Sequence, residues 1–304
     1  MNKVVIIGCG NVGMSYAYLL VTSDNNIQEL VLIDINEEKA KGEALDLIHA
    51  SAYSNSSLKI KAGSYLDCKD ATIVCVCAGK NQDEGETRLD LLDKNVGVFN
   101  SIINEIEKSG FAGIYLVATN PVDLLTYYTY KISNKDPKKV IGSGTTLDSA
   151  RFKSILARRF DVNPKSVHSY VIGEHGDSEV VCFSNATIGL NNVELTRDEE
   201  KRITEEVKTS AYKIIKRKGN TSYGIGVCLN KITNAILEDS KEIMTVSSYN
   251  KEHDCYFGVP SSIGKDGINE VFYVKLNNKE EKELFVSISL IKETIKILKE
   301  DKKI

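Results

Sequence analysis

Residues 3–13 read Lys3-Val4-Val5-Ile6-Ile7-Gly8-Cys9-Gly10-Asn11-Val12-Gly13, and this stretch decides the fold. A short β-branched apolar run stops at a glycine, and a helical pattern, Val12–Ser23, follows at once. The first glycine permits a tight turn, and the second lets backbone approach a pyrophosphate. The third allows close helix–strand packing, with the phosphates held at the positive helix end. Glycine-rich turns are common, so the pattern needs context. A second strand, Glu29–Ile33, supplies it by closing on Asp34, about 20 residues on, where an acid binds the adenine ribose hydroxyls. A carboxylate there repels a 2′-phosphate, which favours NAD over NADP. The alternative role for Asp34 is to cap the helix that begins around Asn36-Glu37-Glu38.

Working outward, strands over Leu58–Lys61, Thr72–Cys77, Ile114–Ala118 and Lys139–Ile141 alternate with helices over Glu37–Ala50, Arg88–Ser109 and Leu124–Ile132. Gly97, inside the third helix, costs about 1 kcal/mol relative to alanine. Six strands with helices between them predict an α/β fold with a doubly wound parallel Rossmann sheet. After Gly144 the texture changes. A helix over Leu147–Arg159 leads to a strand over Ser166–Ile172, then to a charged helix, Thr196–Lys218, opened by the capping box Thr196-Arg197-Asp198-Glu199. A helix over Gly224–Leu237, a β-rich stretch over Met244–Leu276 and a final helix follow. That last helix places Leu284, Ile288, Ile291, Ile295 and Leu298 on one apolar face. The expected organisation is an NAD-binding Rossmann domain over residues 1–143 and a mixed α+β substrate domain over residues 144–304.

A net charge of −3 over 304 residues argues against a nucleic-acid partner. Four apolar residues before Gly8 are too few for a signal-peptide core, and no run reaches membrane-spanning length. A cytoplasmic protein with no membrane partner is therefore expected. The seven cysteines form no CxxC pair and no zinc spacing, so neither metal nor disulfide is indicated. Cys75 and Cys77 on their apolar strand read as small packing hydrophobes.

The chemistry gathers around Gly173-Glu174-His175-Gly176-Asp177-Ser178, which sets a histidine among glycines and acids at a strand end. Histidine titrates near neutrality, which suits it to give and take a proton in a redox step. Asp148 and Arg151 lie on one helical face; without His175 they would read as a surface ion pair. The segment Ala78–Arg88 is polar, carries two glycines and leads into a helix, as a loop that closes over a ligand would. Taken alone, Arg88 would be a solvated helix start, Gln82 a surface amide and Asn120, before Pro121, a turn residue. Together these parts suggest hydride transfer to a small carboxylic acid.

The ordered set of motifs resembles the bacterial L-lactate dehydrogenases, within the lactate/malate dehydrogenase superfamily. The resemblance runs through Gly8–Gly13, Asp34, Ala78–Asn95, Thr119–Asp123, Gly142–Thr145, Leu147–Phe152, Gly173–Ser178 and Gly219–Gly224. It implies reversible hydride transfer between NADH and pyruvate, with His175 as proton donor, Asp148 orienting its imidazole and Arg88 polarising the carbonyl. Gln82, Asn120, Arg151 and Thr221 would bind substrate, Arg151 by gripping its carboxylate. Gly8, Gly10, Val12, Gly13, Asp34, Ala78, Gly79, Asn95, Thr119 and Asn120 would bind NAD. A homotetramer is implied as well. Many relatives bind fructose 1,6-bisphosphate through a basic residue and a histidine at the positions of Lys153 and His168. Lysine in place of arginine keeps the charge there but loses the phosphate fork, which would weaken activation.

Gln82 discriminates among substrates, because arginine stands there in malate enzymes. A second substrate carboxylate in a closed pocket needs a cation, and a neutral amide supplies none. Lys80 is a nearby ammonium that bears on the same question. The rivals are a malate or 2-hydroxyisocaproate-type dehydrogenase of the same superfamily, an NAD-dependent glycosidase and a non-catalytic NAD sensor. The glycosidase would need a metal-ligand cluster that the sequence does not display. The sensor would need an eroded catalytic position.

Overall fold

Lys3–Ile7 (β1) is buried along its whole length, as a central parallel strand covered on both faces must be. The computed structural model describes residues 2–54, 58–80 and 88–300, the last span without the side chains of residues 88 and 89. After β1 come α1 (Asn11–Thr22), β2 (Glu29–Ile33), α2 (Glu37–Ser51), β3 (Lys59–Ala62), β4 (Ile73–Val76) and α3 (Arg88–Lys108). Next are β5 (Ile114–Val117), α4 (Val122–Ser133), β6 (Val140–Gly142), α5 (Thr146–Phe160), β7 (Val167–Ile172) and β8 (Val180–Ile188). The chain ends with β9 (Asn191–Asn192), α6 (Arg197–Lys218), α7 (Tyr223–Leu237), β10 (Glu242–Asn250), β11 (Cys255–Gly264), β12 (Gly267–Val271) and α8 (Asn278–Glu300).

Strands β6-β5-β4-β1-β2-β3 lie side by side and parallel, the doubly wound order expected. The order reverses between β1 and β4, which opens a crevice at their carboxyl ends. Along these strands alternate residues enter opposite cores. Val5, Ile7, Val74 and Val76 pack beneath α3, α4 and α8. Val4, Ile6, Ile73 and Cys75 pack beneath α1, α2 and α7. Each fully buried Val or Ile contributes about 1.5–3 kcal/mol.

In the second half, the β-rich stretch extends the sheet of the first half. The antiparallel ribbon β10–β11–β12 joins the parallel sheet at β6, making nine strands, with Ser247 opposite Gly142. Small residues allow this approach. A Cβ on Gly142 would meet Ser247 Cβ at 2.8 Å, and one on Gly144, at φ +52°, would meet Ser247 N at 2.4 Å. The ribbon thereby covers what would be the open edge of β6.

Helices α7 and α8 likewise close the faces of the first half's sheet. The buried Tyr16 hydroxyl of α1 hydrogen-bonds the Thr233 hydroxyl of α7. A separate core of Phe152, Leu156, Val171, Val181 and Val207 joins α5, α6, β7 and β8. The expected capping box opens α6, with Glu199 N donating to Thr196 Oγ1 and Thr196 N to Glu199 Oε2. All seven thiols are free and six are buried. Burial pushes Cys9, Cys68, Cys228 and Cys255 up to about 12, so they pack rather than react. No helix among the described residues is long and apolar enough to cross a membrane.

Candidate active site

The cofactor cradle begins where β1 ends. Gly8 has φ +102°, and a Cβ there would lie 2.5 Å from Ala78 N, so only glycine lets the two crevice loops touch. A Cβ on Gly13 would lie 2.0 Å from the Gly8 carbonyl oxygen, which shows how tightly α1, with Val12 in its first turn, sits on the turn. Gly10 is the opposite case. Among the described residues nothing stands close over it, and no side chain caps the N-terminus of α1 behind it. Free backbone donors over an open glycine are what a pyrophosphate requires, so the chain fits NAD at this point. Gly13→Ala is expected to lower the melting temperature by the equivalent of about 1–3 kcal/mol and to weaken NADH binding. Thermal melts and NADH fluorescence titration measure both, and an unchanged melt would show that the turn yields freely.

Asp34 stands at the end of β2. Its Oδ2 accepts from Cys9 N at 2.7 Å and its Oδ1 from Asn36 N at 2.9 Å. The cap of α2 is Asn36, whose side chain accepts from Lys39 N. The alternative role for Asp34 therefore falls to its neighbour, and Asp34 is held against the glycine turn. Asn95 and Thr119 act as staples of the crevice loops. Asn95 Oδ1 accepts from Lys80 N at 2.7 Å, and its Nδ2 donates to the Asn120 carbonyl at 2.9 Å. Thr119 Oγ1 donates to the Ala78 carbonyl at 2.8 Å, and a Cβ on Gly79 would lie 2.3 Å from Thr119 Cγ2. These links bring Ala78, Gly79 and the exposed Asn120 to the same rim. Gln82 lies outside the described residues. Arg88 opens α3, and its side chain lies outside them too.

The histidine loop follows β7 and is pinned from four sides. Gly173 pairs with Gly258 of β11 through two 2.8 Å backbone bonds. Gly173 adopts φ +88°, and a Cβ there would lie 2.7 Å from Ser287 Oγ of α8. Ser287 Oγ also accepts from Glu174 N at 2.8 Å. His175 N donates to Asp123 Oδ2 of α4 at 2.7 Å. From α5, Asp148 Oδ2 accepts from His175 Nδ1 at 2.6 Å, which leaves Nε2 as the imidazole's second nitrogen. Arg151 Nη1 donates to the other Asp148 oxygen at 2.5 Å. Asp148 is buried, while the His175 side chain keeps 23 % of its surface open.

Burial works against charge on His175, but the Asp148 carboxylate overrides it and raises the imidazole to about 9. Asp148, though buried, is held below the usual carboxylate range by His175 and Arg151. Burial pushes Asp123 up to about 6, against bonds from Ser247 and His175 N. Burial and the neighbouring Asp148 carboxylate push Glu179 up to about 8.

Asp123, Ser247, Ser287 and Glu179 are site residues that sequence reasoning passed over. Asp123 and Glu179 belonged to quoted or adjoining motifs, but nothing local marks which carboxyl will be buried beside the histidine. Folding also gathers donor atoms of Asp148, His175 and Glu179 within 4.8 Å, a cluster that the sequence did not display. Both Asp148 oxygens are already bonded, and the Arg151 guanidinium beside them opposes a further cation.

Thr221 precedes α7, where a Cβ on Gly224 would lie 2.8 Å from Leu147 Cδ1, next to Asp148. Cys228, one turn on, feels the charges of Asp148 and Arg151. The start of α7 thus borders the Asp148–Arg151 end of α5. Lys153 points elsewhere. It is half-buried beside Lys231 and Glu242, where burial and the Lys231 charge lower it. His168 is exposed on β7, opposite Thr187.

Comparison with known proteins fits this geometry. The pattern of the lactate/malate dehydrogenase NAD binding domain matches residues 2–142, and that of the lactate/malate dehydrogenase alpha/beta C-terminal domain matches residues 145–302. L-lactate dehydrogenase 2 of Bacillus cereus is 47 % identical, covering 97 % of this chain and 98 % of its own. L-lactate dehydrogenase of Halalkalibacterium halodurans is 48 % identical over 96 % of each. Among solved structures, the ligands-bound form of minor L-lactate dehydrogenase from Enterococcus mundtii superposes with a TM-score of 0.95 at 40 % identity over 98 % of each chain. A lactate dehydrogenase from a deep-sea metagenome library, MGS-M5, gives 0.93 at 42 % identity over 97 % of this chain and 98 % of its own. The chain belongs to the lactate/malate dehydrogenase family.

Proposed function

We infer that the chain is an NAD-dependent L-lactate dehydrogenase interconverting pyruvate and L-lactate. The observation that carries this reading is the His175–Asp148–Arg151 arrangement, with His175 Nδ1 2.6 Å from one Asp148 oxygen and Arg151 on the other. Bound in the cradle, NADH supplies the hydride for reduction and NAD accepts it in the reverse direction. His175 gives a proton from Nε2 to the substrate oxygen and takes it back in lactate oxidation. Asp148 fixes the tautomer and stabilises the imidazolium. One edge of the Arg151 guanidinium is spent on Asp148, and the rest is left to hold the substrate carboxylate. Arg88 polarises the carbonyl, Asn120 hydrogen-bonds the same side of the substrate, and Thr221 borders its methyl group.

The cofactor reading extends to Gly8, Gly10, Val12, Gly13, Asp34, Ala78, Gly79, Asn95, Thr119 and Asn120, the last three supported by the staples they form. The division at 143/144 falls between β6 and α5, where chemistry passes from cofactor to substrate. A homotetramer suits the apolar Leu45, Ile48 and Val227 left exposed on α2 and α7. Fructose 1,6-bisphosphate activation through Lys153 and His168 would have to be built across subunits.

Assay of NADH oxidation with pyruvate and oxaloacetate side by side, each with and without fructose 1,6-bisphosphate, tests the reading. Pyruvate is expected to be preferred by about a hundredfold or more in kcat/KM, because the neutral amide of Gln82 supplies no charge to pair a second carboxylate. Preference for oxaloacetate would overturn the lactate assignment, with Lys80 as the next cation to replace, and leave the proton chemistry standing. The proton has a pH signature as well. Reduction needs imidazolium, so it falls as pH rises through about 9, while lactate oxidation rises through the same range. The raised value also contributes stability that is complete below about 6.5 and lost as pH rises through about 9.

A further inference from the structure

The mechanism above leaves Glu179 unused. The residue directly precedes β8 and is 5 % exposed, and among the described residues its Oε1 has no hydrogen-bond partner. A carboxyl buried in this way is costly when ionised unless a charge or a donor answers it. The groups facing it are Asp148 and Arg151 of α5, His175 of its own loop and Lys208 of α6. Asp123 of α4 faces His175 from another side. Glu179 also lines a cleft of about 460 Å³ between this loop, α6 and α8. Lys208 stands in that cleft with its Nζ bonded to the Asp177 carbonyl at 2.7 Å, and the charged Glu200 of α6 and Lys279, Glu280, Lys282 and Glu283 of α8 also line it.

We propose that Glu179 is a positioning residue for proton transfer: acting through His175, it sets the pH at which the imidazole gives up its proton. This rests on His175 being the proton donor. At low pH the carboxyl is neutral and sits beside the Asp148 carboxylate without repulsion. As pH rises it ionises, and its charge lies within 4.8 Å of the imidazolium and Asp148. That charge retains the proton on His175, so reduction of the substrate extends to higher pH. The same charge delays lactate oxidation, which needs the neutral ring.

The test is the pH profile of kcat/KM for pyruvate reduction and for lactate oxidation, between about pH 6 and pH 10, in wild type, Glu179→Gln and Glu179→Asp. Glutamine copies the shape and the neutral state of the carboxyl but cannot ionise. Its profile is expected to move down by roughly 0.6 to 2.5 pH units, the Coulomb interaction at 4.8 Å for effective dielectric constants of about 80 and 20. Aspartate keeps an ionisable group and is expected to stay nearer wild type. Should Glu179→Gln not fold, NMR titration of the His175 imidazole in wild type and Glu179→Met, which also lacks the charge, reads the shift without turnover. Superimposable profiles, or a lowered melting temperature with an unmoved profile, would overturn the inference and leave Glu179 a packing residue. The two readings fail separately. A limb that vanishes in His175→Asn yet does not move in Glu179→Gln defeats the Glu179 role alone. A limb that persists in His175→Asn defeats both.

Discussion

Replacing His175 by asparagine is expected to lower kcat/KM for pyruvate reduction by about 10²–10⁴-fold, the usual worth of a positioned acid–base group. Asparagine is the informative choice because its Nδ2 can take the place of the imidazole Nδ1. It can therefore still donate to Asp148, which otherwise lies 2.6 Å from the ring nitrogen with only Arg151 to answer it. The position of Nε2 is lost, and with it the proton that the proposed mechanism draws from it. The main-chain bond from residue 175 to Asp123 remains, so the loop should hold its shape. NADH affinity and melting temperature should consequently change little while turnover collapses, and the pH dependence near 9 should vanish. Activity within tenfold of wild type would mean that the proton comes from elsewhere.

Arg151→Lys is expected to cost about 10²-fold in kcat/KM, mainly through KM for pyruvate. In the native site one guanidinium nitrogen is committed to Asp148 at 2.5 Å. The planar fork leaves the others free for a substrate carboxylate, and each such charge-assisted bond is worth about 1.5–3 kcal/mol. A lysine ammonium is a point charge at the end of a flexible stem. It must choose between Asp148 and the substrate or serve both poorly. Arg151→Gln should do more damage, because it removes the cation from a buried carboxylate as well. Steady-state kinetics with pyruvate and with a keto substrate lacking the carboxylate separate the two contributions. The lysine variant should lose much less on the truncated substrate. An equal loss on both would show that Arg151 serves only to hold Asp148.

Legibility in the sequence followed the range of the interactions involved. The parallel strands β1, β2 and β5 and the helices between them were readable because apolar periodicity and glycine placement are local properties. Asp34, Asp148, Arg151 and His175 could be singled out as candidates, Asp34 by its distance from the glycine turn and the other three through the family resemblance. Glu179 was not. Its sequence neighbours make it look like one more acid after Asp177, and its importance comes from burial beside an α5 residue some thirty positions earlier. Asp123 stood inside a recognised motif, yet its bond to His175 N spans 52 residues.

By itself, the sequence determined a doubly wound nucleotide-binding half and the preference for NAD. Both rest on contacts within one turn or one strand–helix junction. The tertiary structure alone decided three further matters: the ribbon β10–β12 completes the parallel sheet at β6, α7 and α8 close its two faces, and a second carboxyl comes to lie beside the histidine. An antiparallel ribbon carries no local mark of the sheet edge it will join, since main-chain donors are the same everywhere. A carboxyl carries no mark of its proton affinity until burial and neighbouring charge set it.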